Sequence, residues 1–288
     1  MEYFLFFQSS INGLVMAMVV ILVALGLNLV FGIMNIVNLA HGELYMLGAY
    51  FLWWFGAQYN IPYFPAFLLS ILAITFFGFL IEKIFFKSLR GQLIPGLLIA
   101  IGLILSLQSG ALLFFGEQPR GVPAPALFRG VMRVSDLVIS KERMAVIIVT
   151  LFCIVLMYLF IHRSRIGKAV QAVAQDADAA ALQGISMDNI SSIVMGISAA
   201  MAAIAGCLMG TINPITATVG QQPLLEALVV IVLGGLGSIP GTIVGGLIVG
   251  LTKGFMGSYI TSTVGSITVY LLLFVLLIFK PSGLFGRE

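Results

Sequence analysis

Apolar stretches close to 20 residues long recur along this chain, and that is the length an α-helix needs to cross the hydrocarbon core of a bilayer. The cleanest is AVIIVTLFCIVLMYLFI, Ala145 to Ile161, which carries no charge. These runs lack the strict alternation of membrane β-strands, where every second residue turns from lipid to lumen. At 60% hydrophobic and 9% charged residues the chain lies far from the soluble average of roughly half apolar and a quarter charged. The expected fold is an all-α integral membrane protein, a polytopic bundle of about 8–10 spans in one transmembrane domain over residues 1–288.

In chain order, spans are expected at Ile11–Phe31, Leu39–Trp54, Pro62–Ile81, Leu93–Phe115, Met144–Ile161, Ile190–Met209 and Val264–Phe279, with Gly-rich apolar pieces between the last two. The start, MEYFLFFQSS, has an acid and no basic n-region, so the first span is expected to be retained rather than cleaved. Lys83, Lys87 and Arg90 follow the third span, and His162, Arg163, Arg165 and Lys168 follow the fifth, which puts both ends on the cytoplasmic side. The segment 116–143 then falls outside, as an external loop with an extended piece at VMRVSDLVI. Its Arg120, Arg129, Arg133, Lys141 and Arg143 strain the charge rule, but alternation of crossings is the stronger constraint. Two crossings by the Gly-rich segment would put the amino end outside; one re-entrant excursion would change the parity.

Two regions interrupt their spans, near 26–48 and near 220–246. Asn28, Asn35, Asn38 and His41 either form one drifting polar stripe on a continuous helix or flank a break. Gly234, Gly235, Gly237, Pro240 and Gly241 break the second region. Paired broken helices in corresponding halves are the pattern of an inverted repeat around a transport path. The plain alternative is that glycines only pack helices, and Gly206/Gly210 and Gly246/Gly250/Gly254 have that spacing.

The longest polar segment besides the loop, 163–190, reads as a surface helix from Gly167 to Gln183 stopped by Gly184. Val170, Val173, Ala174, Ala177 and Ala181 give it one small apolar face, suited to another protein's groove or to simple span joining.

The chemistry missing from the chain narrows its function. No GxxxxGK[ST] loop is present, so the chain does not bind ATP in the P-loop manner, and GGLGSIPG is not a dinucleotide fingerprint. His41 and His162 are too few for a metal cluster, Cys153 and Cys207 lie in apolar runs, and no nucleophile, base and orienter set exists. Neither an enzyme nor a cofactor is expected, and the +3 formal charge forms no nucleic-acid patch. Ionisable residues within spans are His41, Glu43, Glu226 and Lys253. Each carboxylate can be read as first-turn helix chemistry as readily as a pathway group.

GLNLVFGIMNIVNLAHGELYMLGAY at 26–50 resembles the amino-terminal signature of the branched-chain amino-acid ABC transporter permeases, LIV-H-type. RSRIGKAVQAVAQDADAAALQGI at 163–185, VVIVLGGLGSIPGTIVGG at 229–246 and KPSGLFG at 280–286 resemble that family's coupling, Gly-rich and closing segments. The resemblance implies a type II-importer-like permease subunit in a bacterial inner membrane. Its partners would be a second related permease, two cytoplasmic ATPases and a periplasmic protein delivering Leu, Ile or Val. It implies coupling residues at Arg163, Arg165, Gly167, Ala174, Asp176, Ala177, Ala181 and Gly184. Position and polarity make Asn28, Asn35, Asn38, His41, Gly234, Gly235 and Gly237 the candidates for the translocation path. Related permeases for urea, short amides or sugars, an ion-coupled carrier and a membrane scaffold are the rival readings.

Overall fold

The structure, a computed structural model, describes residues 2–34, 36, 38–134 and 137–286. Among the described residues eleven α-helices follow one another: α1 (Glu2–Met34), α2 (His41–Gln58), α3 (Tyr63–Ile81), α4 (Leu93–Phe115), α5 (Lys141–Arg163), α6 (Arg165–Gln175), α7 (Ala177–Leu182), α8 (Met187–Met209), α9 (Gln221–Gly234), α10 (Ile239–Tyr259) and α11 (Ser262–Phe279). Seven of these helices are long and apolar enough to cross a membrane, making this a multi-pass membrane protein. The other two helices of the bundle, α2 and α9, each follow a re-entry of the chain, after α1 and after α8, whereas the break predicted at Gly234–Gly241 is the turn between α9 and α10.

Helix α1 is the axle. Its residues from Val19 to Val30 are almost all buried, enclosed mainly by α8, α9 and α10. Lipid is as apolar as leucine, so helices associate in it by close packing rather than by escape from water. Gly246, Gly250 and Gly254 supply that closeness: they bring α10 onto Ile21, Ala17 and Gly13 of α1, so the two helices run antiparallel. The glycine spacing read from the sequence is thus a zipper between the two halves of the chain.

Two ends of the bundle can be told apart. At one, β1 (Val131–Val134) and β2 (Leu137–Ser140) form an antiparallel hairpin in the expected extended piece. Gln8 donates to the Val138 carbonyl and Arg143 to Asn12, so the start of α1 lies at this hairpin end. The other end carries α6 and α7, the turn between α9 and α10, and the segment 280–286, which pairs with it through Leu284 N to Leu233 O at 2.9 Å and Phe285 N to Gly234 O at 3.0 Å. With α9 running to this lobe end and α10 returning, the parity is that of two crossings, and α1 starts on the hairpin side.

Two of the arginines that strained the charge rule, Arg120 and Arg129, have local partners. Arg120 donates to the Phe115 carbonyl at 2.8 and 3.2 Å and stacks 4.6 Å over the Trp53 ring, and Arg129 donates to the Ala124 carbonyl at 2.7 Å. Such bonds hold these charges in the cap, whatever the bias of loop composition.

The surface helix expected from Gly167 to Gln183 is two helices. Asp176 breaks it, with extended backbone (φ −156°, ψ 106°) and a side chain that accepts from Asp178 N at 3.0 Å and Ala179 N at 2.9 Å. An aspartate that caps a new helix satisfies donors that a continuing helix would take care of itself. The break also redistributes the predicted face. Val170, Val173 and Ala180 are buried, Ala177 is half-buried, and Ala174 and Ala181 are exposed. Gly184 ends α7 as expected, at φ +81°, with Ile185 N bonding Ala180 O and Gly184 N bonding Ala181 O.

Candidate functional site

The first interruption is a break, not a continuous polar stripe. After α1 ends, the chain folds back into the bundle, and α2 starts beside the middle of α8. Asn38 makes the turn: its Oδ1 accepts from Ala40 N at 3.1 Å, and its Nδ2 faces Met195 Sδ at 3.7 Å. His41, fully buried, then opens α2 with Nε2 3.1 Å from the Val23 carbonyl and Nδ1 3.3 Å from the Ser198 hydroxyl. A carbonyl only accepts, so Nε2 carries the proton and Ser198 donates to Nδ1. Ser198 sits midway along α8, so α2 begins halfway through the bundle.

An interruption between α8 and α9, ahead of the predicted break at Gly234–Gly241, mirrors the first. Beyond α8 the chain turns back from the hairpin end, and α9 starts against the start of α2. A Cβ on Gly42 would stand 2.6 Å from the Gly220 carbonyl oxygen, and one on Gly220 would overlap the Gly42 carbonyl. Two helix amino ends therefore meet near mid-depth, α2 leaving toward the hairpin end and α9 toward the lobe end. Helices α1 and α2 thus run opposite in sense to α8 and α9, which is the expected inverted arrangement. Backbone N–H groups at such ends lack intrahelical partners and carry partial positive charge.

The two starts differ in surroundings. Around α2, Glu43 is buried and its Oε1 accepts from Gln108 Nε2 of α4 at 2.8 Å. Around α9, Thr218, Gln221, Gln222 and Leu225 are exposed. Gln222 Nε2 donates to Glu226 Oε1 at 2.9 Å, and Lys253 of α10 forms a salt bridge with the same oxygen. Polar side chains bared at this depth are costly against lipid, so the face belongs to water or to another protein. The hairpin-end cap is stitched to the loop before α9 by paired bonds between Arg120 and Ile215, at 3.0 and 2.7 Å, and by Val122 N to Gly210 O at 3.3 Å.

Of the path candidates, Asn28 is buried and latches the turn between α9 and α10, donating to Thr242 Oγ1 at 2.9 Å and accepting from Gly237 N at 2.8 Å. Asn38 and His41 are held as described, and Asn35 lies outside the described residues. Gly234 packs on Gly241, Gly235 (φ +99°) touches Gly286, and Gly237 (φ +80°) is exposed. These three shape the turn between α9 and α10 at the lobe end, away from the mid-depth junction. Sequence reasoning missed Gln108 and the pairing of Lys253 with Glu226, both of which join different helices.

The residues of the 163–190 lobe stay together. Arg163, Arg165, Ala174, Asp176, Ala181 and Gly184 are exposed, as is Leu182 at 87%. Gly167 is buried in the elbow between α5 and α6, where its N–H donates to Ser164 Oγ at 2.8 Å and a Cβ would collide with the Phe160 carbonyl. The lobe's exit is bolted to the end of α3: Arg90 bridges Asp188 to the fully buried Glu82, which also accepts from Ser192, and Lys87 adds a second tie to Asp188 at 2.8 Å.

The family described as "branched-chain amino acid transport system / permease component" matches residues 9–280. The chain is 33% identical to the high-affinity branched-chain amino acid transport system permease protein LivH of Salmonella typhimurium, over 99% of this chain and 97% of that protein. It is 28% identical to the permease protein LivM of the same organism, over 82% of this chain and 60% of LivM. Among solved structures, PsaBC from Streptococcus pneumoniae in complex with Fab is similar, with a TM-score of 0.50 at 14% identity over 94% of this chain and 91% of that one. At that identity the likeness concerns the fold alone.

Proposed function

The chain belongs to the branched-chain amino acid transport system permease family, and from that premise we propose that it is one permease subunit of a bacterial inner-membrane ABC importer for leucine, isoleucine and valine. The observation that carries the reading is the α9 start, an exposed polar face halfway through an otherwise apolar bundle. A second permease of the LivM kind covers that face, and the substrate path runs between the two. The subunit is non-catalytic; two ATPases seat on the lobe end, which is cytoplasmic, and a periplasmic binding protein delivers substrate to the hairpin-end cap.

Support for the seat comes from Leu182, Ala181 and Ala174, apolar and exposed on a short helix pair whose exit is ion-paired to α3. A lobe pushed by ATPase closure would move α3 and α8 with it, since packed elements shift as rigid bodies. The cap offers the matching route on the other side, because its bonds to Gly210 and Ile215 lead directly to the α9 start.

The reading is tested by co-purification from membranes. Leu182→Asp and Ala181→Trp are expected to cut the amount of retained ATPase roughly tenfold or more, as loss of a buried anchor does, with the permease itself still recovered from the membrane. Full retention of the ATPase by both variants overturns the assignment of the lobe.

A further inference from the structure

One buried charge pair has no assigned task. Glu226 and Lys253 lie on adjacent helices, their side chains 7% and 12% exposed, at the edge of the open face around Gln221 and Gln222. Charges at such depth are expensive, and exchanging a buried ion pair for well-packed apolar residues is often neutral or stabilising. Packing alone therefore gives no reason to keep the pair there.

We propose that Glu226 and Lys253 form the mid-membrane recognition site for a zwitterionic α-amino acid, a role that rests on the importer reading above. In the resting state each charge neutralises the other. As substrate passes, the pair opens: Glu226 takes the α-ammonium and Lys253 the α-carboxylate. One ion pair becomes two, no net charge enters the low-dielectric interior, and the pair re-forms when the substrate leaves. Gln222, already bonded to Glu226 at 2.9 Å, holds the carboxylate in place while Lys253 is engaged with substrate. An uncharged solute such as urea or a sugar gains nothing from a divided pair, so the site selects for a molecule that carries both signs. The apolar side chain contributes little to selection here, in keeping with choice among such side chains by the binding protein.

The test uses the complete transporter in proteoliposomes: this chain with its partner permease, the ATPases and a leucine-loaded binding protein. Uptake of labelled leucine and ATP hydrolysis are measured together. Glu226→Gln and Lys253→Met are each expected to lower leucine moved per ATP hydrolysed by about tenfold or more, the scale of a lost charge contact. The exchange variant Glu226→Lys with Lys253→Glu restores the amount of assembled complex but not transport, because the charges now face a substrate of fixed orientation the wrong way round. Recovery of both assembly and transport by the exchange shows a purely structural pair and overturns the proposal, as does an undiminished ratio in the two single variants. Wild-type assemblies that hydrolyse ATP but do not move leucine overturn the importer reading itself, and this site falls with it.

Discussion

The start of α2 and the start of α9 have the same geometry and opposite surroundings. Each is a helix amino end reached by a chain that turns back into the bundle, and they touch at Gly42 and Gly220. Around His41 every polar atom of the ring has a protein partner and none of it reaches solvent. Around Gln221 the surface is bare. One copy of a repeated fold element is thus sealed among its neighbours, and the other is left open. Polarity in a membrane helix is consequently an ambiguous sign of function, since Asn28 and Asn38 hold backbone turns and His41 ties the middle of α1 to the middle of α8.

The largest predicted effect falls on the contact that both copies share. Gly220→Val, whose side chain has backbone rather than a flexible neighbour in its way, is expected to cost ~3 kcal/mol or more, measured as loss of monodisperse protein after detergent extraction. The division itself is tested by a pair of truncations followed by thermal unfolding in detergent. His41→Ala removes the ring's bond to the Val23 carbonyl and leaves the buried Ser198 hydroxyl without its acceptor, and should cost about 2 kcal/mol, whereas Gln221→Ala should stay within about 0.5 kcal/mol. Similar losses at the two positions would abolish the distinction.

A cysteine placed at each start sharpens it further. In a Cys153→Ser background, with Cys207 fully buried, Gln221→Cys in the isolated subunit should react with a thiol reagent at least about tenfold faster than His41→Cys, as exposure governs reactivity at equal thiol chemistry. Adding the partner permease should slow the first and leave the second as it was. A loss smaller than that of His41→Ala is expected of Asn38→Ala, which removes the turn bond to Ala40 N and should lower stability by about 1 kcal/mol, with transport per folded molecule retained.

Much of this architecture was legible from residues close together in the chain. Apolar runs gave the spans, Gly246, Gly250 and Gly254 gave a packing face, and Gly184 marked a helix stop that forms as read. What escaped depends on separations that local pattern cannot reach. Asn28 meets Gly237 across 209 residues, Arg90 meets Asp188 across 98, and Lys253 meets Glu226 across 27. Hydropathy also reports how long a segment is, not where it begins, so the mid-depth start of α2 looked like a span boundary with an acid in its first turn. Asp176 escaped for another reason: a run without glycine or proline reads as continuous, and the capping preference of an aspartate wins only when its geometry is realised.

The enclosure of α1 has a consequence for how the protein is made. This helix leaves the ribosome before α8, α9 and α10, the neighbours that later surround it. During that interval it must wait in lipid, for which a mean hydropathy of 2.8 over its most apolar 18 residues suits it well. Asn28 waits with it, lacking Thr242 and Gly237 until more than two hundred further residues have been translated. Insertion and final assembly are therefore separate events in this chain, and bonds of the helix synthesised first close only after most of the chain has been made.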